Sequence, residues 1–424
     1  MAEPGGGHAP RRARLIVVGG GAAGIWAAAR AARLGGDVLL LEKTPRVGTK
    51  VLASGGSRCN LTTTLPGDEA ARLFGPAGAR FLRKAFGALG PAAVRERFAV
   101  LGLETVEAPL EKVFPASQRA RDVRDVLERD ARAAGVKIRC GVPVSGIEPS
   151  GGGGWRVLTE GGGAFLCERL LLCTGGASVP STGTTGDAYP WLRELDLEVV
   201  APRPALVPLT SDAAWVRELA GVSLQAVEVR LIEPLGGRTL RRRRPVVFTH
   251  RGLSGPGPLD LSRHVTAPGG ARELLLDLAC DTAREDLRRR LLDAAARGGV
   301  GTLARALDLP LPRRLLDAAC RQAGLADSRA RVSELPRGAR HDLIEALKGL
   351  VVPLAGGLGF EHAEVTAGGL ALSAVDPATM EVRGRGGLQV CGELLDLDGP
   401  IGGFNFQAAF ATAELAGRHA ARGG

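Results

Sequence analysis

The first hydrophobic positions fall in a short unbroken run, Arg14 to Gly19 (RLIVVG), of the kind that forms a strand buried in a parallel sheet. An alanine-rich stretch, Ile25 to Leu34, predicts a helix, and Val38 to Leu41 predicts a second strand ending on Glu42. Gly141 to Ile147 (GVPVSGI), Arg169 to Gly176 and Leu388 to Cys391 read as further strands, and Phe406 to about His419 reads as a closing helix. Between Val199 and Leu278 the pattern turns period-two, as in Ala226 to Ile232 (AVEVRLI). With Gly236-Gly237 as a hairpin turn, this predicts a barrel or sandwich. Thr282 to Gly349 switches to helical patterns such as REDLRRRLLDAAAR, and Val351 to Gly369 returns to strand-like sequence. Gly151 to Gly154 reads as a turn.

The first strand and helix are joined by Gly19-Gly20-Gly21-Ala22-Ala23-Gly24, which satisfies G-x-G-x-x-G with Gly19, Gly21 and Gly24. Gly19 permits the tight turn, Gly21 lets the backbone approach a pyrophosphate, and Gly24 lets helix and strand pack closely. The helix start at Ala22 and Ala23 offers free N–H groups and the positive end of the dipole to phosphates. Glu42, followed by Lys43, lies 23 residues after Gly19, where a carboxylate accepts hydrogen bonds from both ribose hydroxyls. A 2′-phosphate would meet a like charge there, which leaves FAD or NAD.

The next segment decides between them. Val47 to Asn60 (VGTKVLASGGSRCN) is a second glycine-rich, polar stretch carrying Lys50, Ser54, Gly55, Arg58, Cys59 and Asn60. A simple NAD domain has no need of it, whereas the ribityl chain and ring of FAD extend beyond the pyrophosphate and need a second cradle. Further along, Thr174-Gly175-Gly176 lets backbone pass close to the dinucleotide. Val144 is placed to meet the adenine through its backbone. Near the C-terminus Gly392-Glu393 and Asp396 follow a strand, and Gly402-Gly403-Phe404-Asn405 precede the last helix. That helix N-terminus would direct positive charge at the pyrimidine end of the flavin and stabilise negative charge on the reduced ring.

Composition narrows the class. The 424 residues are 45% hydrophobic and 24% charged, the balance of a globular protein with two or three domains. No apolar run reaches the roughly 18–20 residues of a membrane span, and no apolar stretch precedes a cleavage site, so a cytoplasmic location is expected. Seven cysteines are scattered without C-x-x-C or zinc-ligand spacing, which points to neither a disulfide framework, a metal site nor a dithiol reductase. The net charge of +10 comes mostly from arginines spread through Ala- and Gly-rich helices, with no nucleic-acid reading motif. Arg241 to Arg244 read as a solvated strand edge.

Several stretches together resemble a bacterial FAD-dependent flavoprotein family that includes aminoacetone oxidases and the reductases of bile-acid dehydroxylation. They are VVGGGAAG with LLLEK, ASGGSRCNLT, LLLCTGGASVPSTGTTGDAY (Leu170 to Tyr189), FTHRGLSGP (Phe248 to Pro256), and the C-terminal VTAGGLAL with GLQVCGELLDLDGPIGGFNFQAAFATAELAG. They span residues 14 to about 417 in the family's order. The resemblance implies FAD as cofactor and an α/β fold in which a discontinuous Rossmann-like FAD-binding domain carries β-barrel-like and helical insertions. On this sequence the expected bounds are 1–200 and 370–424 for the FAD domain, 201–281 and 350–369 for the barrel-like insertion, and 282–349 for the helical one.

His250, one of six histidines, lies in a family-matching motif and is the best candidate for acid–base work, because imidazole both gives and takes a proton near neutrality. Arg251 beside it is a candidate contact for an anionic substrate group. No second G-x-G-x-x-G unit occurs between 200 and 350, so either NAD(P)H docks transiently at the flavin face or the substrate is itself the electron donor. The leading expectation is an oxidoreductase moving a hydride between FAD and a small organic substrate, by amine oxidation or by reduction of an activated double bond. The alternatives are a flavin-dependent RNA-modifying or nucleic-acid-associated protein and a non-catalytic redox sensor.

Overall fold

The computed structural model describes residues 11–232, 237, 239–296 and 301–422. Gly236 of the predicted hairpin turn lies outside them. The chain divides into two compact units, Met1–Arg203 with Ala363–Gly424, and Pro204–His362.

The first unit is built on a seven-stranded sheet. The opening strand β1 (Arg11–Val18) pairs in parallel with β2 (Val38–Glu42) on one side and with Ala164–Leu172 on the other. Leu15, Ile16 and Val17 are at most 1% exposed, as an unbroken apolar run requires. Lys137–Cys140 extends the sheet beyond β2 in parallel, and Trp155–Thr159 and Val144–Pro149 close the far side as an antiparallel meander. A strand from the other end of the chain, Leu388–Val390, joins in parallel beside Leu170–Leu172.

Helix α1 (Ala22–Arg33) covers one face of this sheet, and the last helix, Phe404–Ala421, lies across it. Glycine at 417 permits their close approach, since a Cβ there would sit 2.5 Å from the Ala27 carbonyl oxygen. Trp26 packs on Phe410 at 4.9 Å between ring centroids and donates its indole N–H to Glu414 Oε2 at 2.9 Å. The α1 helix begins three residues earlier than its apolar period suggests, since Ala22, Ala23 and Gly24 complete its first turn. The strand expected from Gly141 instead begins at Val144. Gly141 is in a left-handed turn (φ 71°), and its N–H and that of Val142 are bonded to the Thr44 and Glu42 carbonyls.

The second unit is organised by another seven-stranded sheet, antiparallel throughout. The period-two segment forms Ser223–Ile232, paired with Thr239–Thr249 so that Ile232 faces Thr239. Helices Arg284–Ala296, Arg313–Gln322 and Arg337–Lys348 contribute to the same buried apolar cluster as the strands. Strand Thr239–Thr249 is paired along its length with Ser223–Ile232, but on its other side only Val247–Thr249 are paired, so among the described residues Arg241 to Arg244 have a neighbouring strand on one side only. Alternation exposes Arg241 and Arg243, whereas Arg244 is only 15% exposed and pairs with the buried Asp260.

Candidate cofactor site

The turn after β1 is shaped by what each glycine touches. Gly19 (φ 100°) donates its N–H to Leu41 O at 2.8 Å, and a Cβ there would lie 2.5 Å from Cys173 O. A Cβ on Gly24 would lie 1.8 Å from Gly19 O. At Gly21 a Cβ would meet nothing within 4 Å. Two glycines are therefore required by the protein's own packing, and the third opens onto free space in front of the N-terminus of the twelve-residue α1. Among the described residues no side chain caps that helix, so the first-turn N–H groups of Ala22 and Ala23 are left for an outside acceptor. An open glycine at an uncapped N-terminus fits a pyrophosphate.

Glu42 is held beside this loop. Its Oε2 accepts the Gly20 N–H at 2.6 Å and its Oε1 the Thr44 N–H at 2.7 Å. A carboxylate has about four acceptor sites, so two remain for ribose hydroxyls. Lys43 turns away and pairs with Asp187 at 2.6 Å. Gly48 links the second glycine segment to the first by donating to Gly20 O at 2.7 Å.

In that segment Gly55, Gly56, Ser57 and Cys59 all have positive φ, from 55° to 65°. Left-handed backbone at two non-glycine positions carries strain, which the surroundings hold in place. Ser54 Oγ donates to Val51 O, and Asn60 Oδ1 accepts the Val113 N–H at 3.0 Å. The exposed Arg58 guanidinium lies 4.6 Å over the Phe114 ring. Cys59 is fully buried, and burial pushes its thiol up to about 12, so it is a protonated, unreactive group.

Lys50 and Glu393 pair with each other at 2.7 Å. Lys50 Nζ also donates to Ser178 Oγ, while Glu393 Oε1 accepts from Ser178 Oγ at 3.0 Å and from the Thr366 N–H at 2.9 Å. Thr366 Oγ1 in turn accepts the N–H groups of Ala177 and Ser178, and a Cβ at Gly176 would collide with it at 2.3 Å. The Thr174-Gly175-Gly176 turn is thus fastened to the C-terminal segment. Ser178 and Thr366 escaped the sequence reading; both lie inside the family-like stretches, but their role depends on residues far apart along the chain. Thr174 Oγ1 is buried with no partner among the described residues, a second feature that suits a ligand.

At the C-terminal side Asp396 Oδ1 accepts the Gly368 N–H at 3.0 Å. Asn405 clamps Gly399 from both directions, accepting its N–H at 2.8 Å and donating to its carbonyl at 2.9 Å. Gly403 (φ 83°) caps the last helix, and a Cβ there would lie 2.1 Å from Thr62 O, while Phe404 is fully buried. Gly402 and Gly392 are also left-handed or nearly so, and Val144 opens its strand opposite Thr159. All the cofactor candidates therefore belong to the first unit. His250 and Arg251 belong to the second, as the two exposed residues of a hairpin turn between Thr249 and Gly252. Among the described residues, no group of three or more His, Cys, Asp or Glu is placed to hold a metal ion, and no helix is long and apolar enough to cross a membrane.

Residues 13–419 match the sequence profile of the HI0933-like protein Rossmann domain. The chain belongs to this family. As a member of the HI0933-like family it is an FAD-dependent oxidoreductase. It is 33% identical to the 3-dehydro-bile acid delta(4,6)-reductase of Clostridium scindens over 96% of this chain and 99% of that one. It is 30% identical to the ribosomal RNA dihydrouridine synthase of Escherichia coli over 94% and 95% of the two chains. Among solved structures, 3-ketosteroid-delta4-(5alpha)-dehydrogenase of Rhodococcus jostii aligns with a TM-score of 0.50 over 97% of each chain at 15% identity, a likeness of fold alone.

Proposed function

We propose that this protein reduces an activated carbon–carbon double bond in a small organic substrate, with NAD(P)H as the transient source of electrons. One observation carries the reading. Two relatives that match nearly the whole chain bear names for unlike substrates, yet both names denote saturation of a double bond. Bound FAD would supply the hydride transfer and the storage of electrons.

The chain's own residues bind and orient. The Gly21 opening and the N–H groups of Ala22 and Ala23 receive the pyrophosphate, and Glu42 receives the ribose. The Lys50–Glu393–Ser178 network fixes the loops on either side. Saturating a double bond needs a proton as well as a hydride. We assign the proton to an imidazole nitrogen of His250 and an anion contact to Arg251. Their exposure at a hairpin tip leaves both free to meet a substrate.

The test is anaerobic reduction with NADH or NADPH, followed by mixing with a panel of conjugated ketones. Expected is flavin reoxidation coupled to a product that has gained two hydrogens. Flavin reduction by amines, with none of the ketones consumed, would sink the proposal. A second reading, reduction of uridine in RNA, is favoured by the +10 charge and by the name of the Escherichia coli relative. Mass spectrometry of ribosomal RNA after incubation with the reduced enzyme separates the two.

A further inference from the structure

Tyr189 is the only tyrosine in the chain. It sits in the first turn of the helix Ala188–Glu194 and is 5% exposed. Its hydroxyl is buried and has no hydrogen-bond partner among the described residues. Buried tyrosine hydroxyls nearly always find a partner, because water has been given up and nothing else compensates.

Tyr189 sits among residues of the first unit. Its ring lies against Gly186, where a Cβ would approach Cδ2 to 2.9 Å. That turn is fastened to the segment after Glu42, through Thr185 and Asp187 on Lys43 and through Gly183 against Thr44. Glu393 and Asp396 are near enough to act on Tyr189 electrostatically. Burial first, then the negative charge of these two carboxylates, pushes the phenol well above its ordinary range, so it remains a donor at any physiological pH. Yet neither carboxylate takes its hydrogen. Glu393 is occupied by Lys50, Ser178 and the Thr366 N–H, and Asp396 accepts from Gly368. A permanent donor is thus buried within the field of Glu393 and Asp396 with no acceptor among the described residues.

We propose that Tyr189 is an FAD-binding residue whose hydroxyl donates to an acceptor oxygen or nitrogen of the bound cofactor. The inference rests on the reading of the first unit as the FAD site. The residue holds and orients the cofactor and takes no part in proton transfer.

The experiment compares wild type and Tyr189→Phe, both stripped of flavin and titrated with FAD. Loss of one neutral hydrogen bond is expected to weaken FAD binding about 3- to 10-fold. The flavin-free variant is expected to melt no lower than flavin-free wild type, because it no longer buries an unsatisfied hydroxyl. An unchanged dissociation constant overturns the proposal. Failure of wild type to bind FAD would instead overturn the reading of the site. Should Tyr189→Phe fold poorly, ultraviolet resonance Raman on wild type decides, because a lone tyrosine makes the phenol bands assignable. A shift to the hydrogen-bond-donor signature on adding FAD supports the role, and unchanged bands refute it.

Discussion

Gly21→Val separates cofactor binding from folding at a single atom. Gly21 has φ −76° and ψ −172°, extended backbone open to any residue, and beyond its chain neighbours its Cβ would meet no atom of the described residues within 4 Å. Without FAD the variant should keep wild-type stability within about 0.5 kcal/mol, since a surface-like substitution breaks nothing. With FAD, the isopropyl group would stand where the proposed site receives the pyrophosphate. Loss of one charge-assisted hydrogen bond, at about 1.5–3 kcal/mol, weakens binding about 10- to 100-fold, and displacement of the phosphates costs more. Gly24→Ala inverts the result. Its Cβ would be 1.8 Å from the Gly19 carbonyl oxygen, a backbone atom that cannot swing aside, so the flavin-free fold itself should lose about 1–3 kcal/mol or more. Urea unfolding of both flavin-free variants, paired with FAD titration followed by flavin fluorescence, gives the two quantities separately. Gly21 is not the pyrophosphate opening if Gly21→Val binds FAD within a few-fold of wild type, or if that variant unfolds as readily as Gly24→Ala.

His250→Ala should leave flavin content and spectrum unchanged while slowing the oxidative half-reaction by about 10²–10⁴, the usual loss for a positioned acid; rapid mixing measures it, and a change of only a few-fold would make the residue structural. Arg243→Ala removes an exposed pair with Asp281, so FAD binding and melting temperature should both stay close to wild type. Thiol titration at mildly alkaline pH should label Cys140 and Cys280 first, because the other five cysteines are buried and Cys59, Cys167 and Cys320 are each pushed up to about 12. Rapid labelling of Cys59 in the native protein would contradict its place in the second cradle segment.

The strand–loop–helix–strand opening was legible because its signals are local: an apolar run, glycines at fixed spacing, an alanine-rich helix and an acidic strand end. Glu42 was legible for the same reason, its distance along the chain fixing its distance in space. The engagement of Lys50 with Glu393 was not, since nothing in either neighbourhood announces a partner at the far end of the chain. Both residues looked equally free to meet a cofactor. Arg244 misled for another reason: four like charges read as solvated, but strand alternation turns every second one to the opposite face, where Asp260 receives it. Ser178, Thr366 and Tyr189 carried no chemical signature by themselves. Their importance comes from what the fold sets against them.

The strand Leu388–Val390 has a consequence for how the molecule is made. During synthesis the first glycine loop, Glu42 and the second glycine segment leave the ribosome long before the residues that fasten them. Until then Leu170, Leu171 and Leu172 have an apolar edge without its neighbour, the kind of edge that recruits other chains. Contacts between such distant segments also slow folding, because loop closure is costly before any contact compensates. The nascent chain should therefore be incapable of retaining FAD, and most prone to aggregate, through the whole interval in which the second unit is being translated.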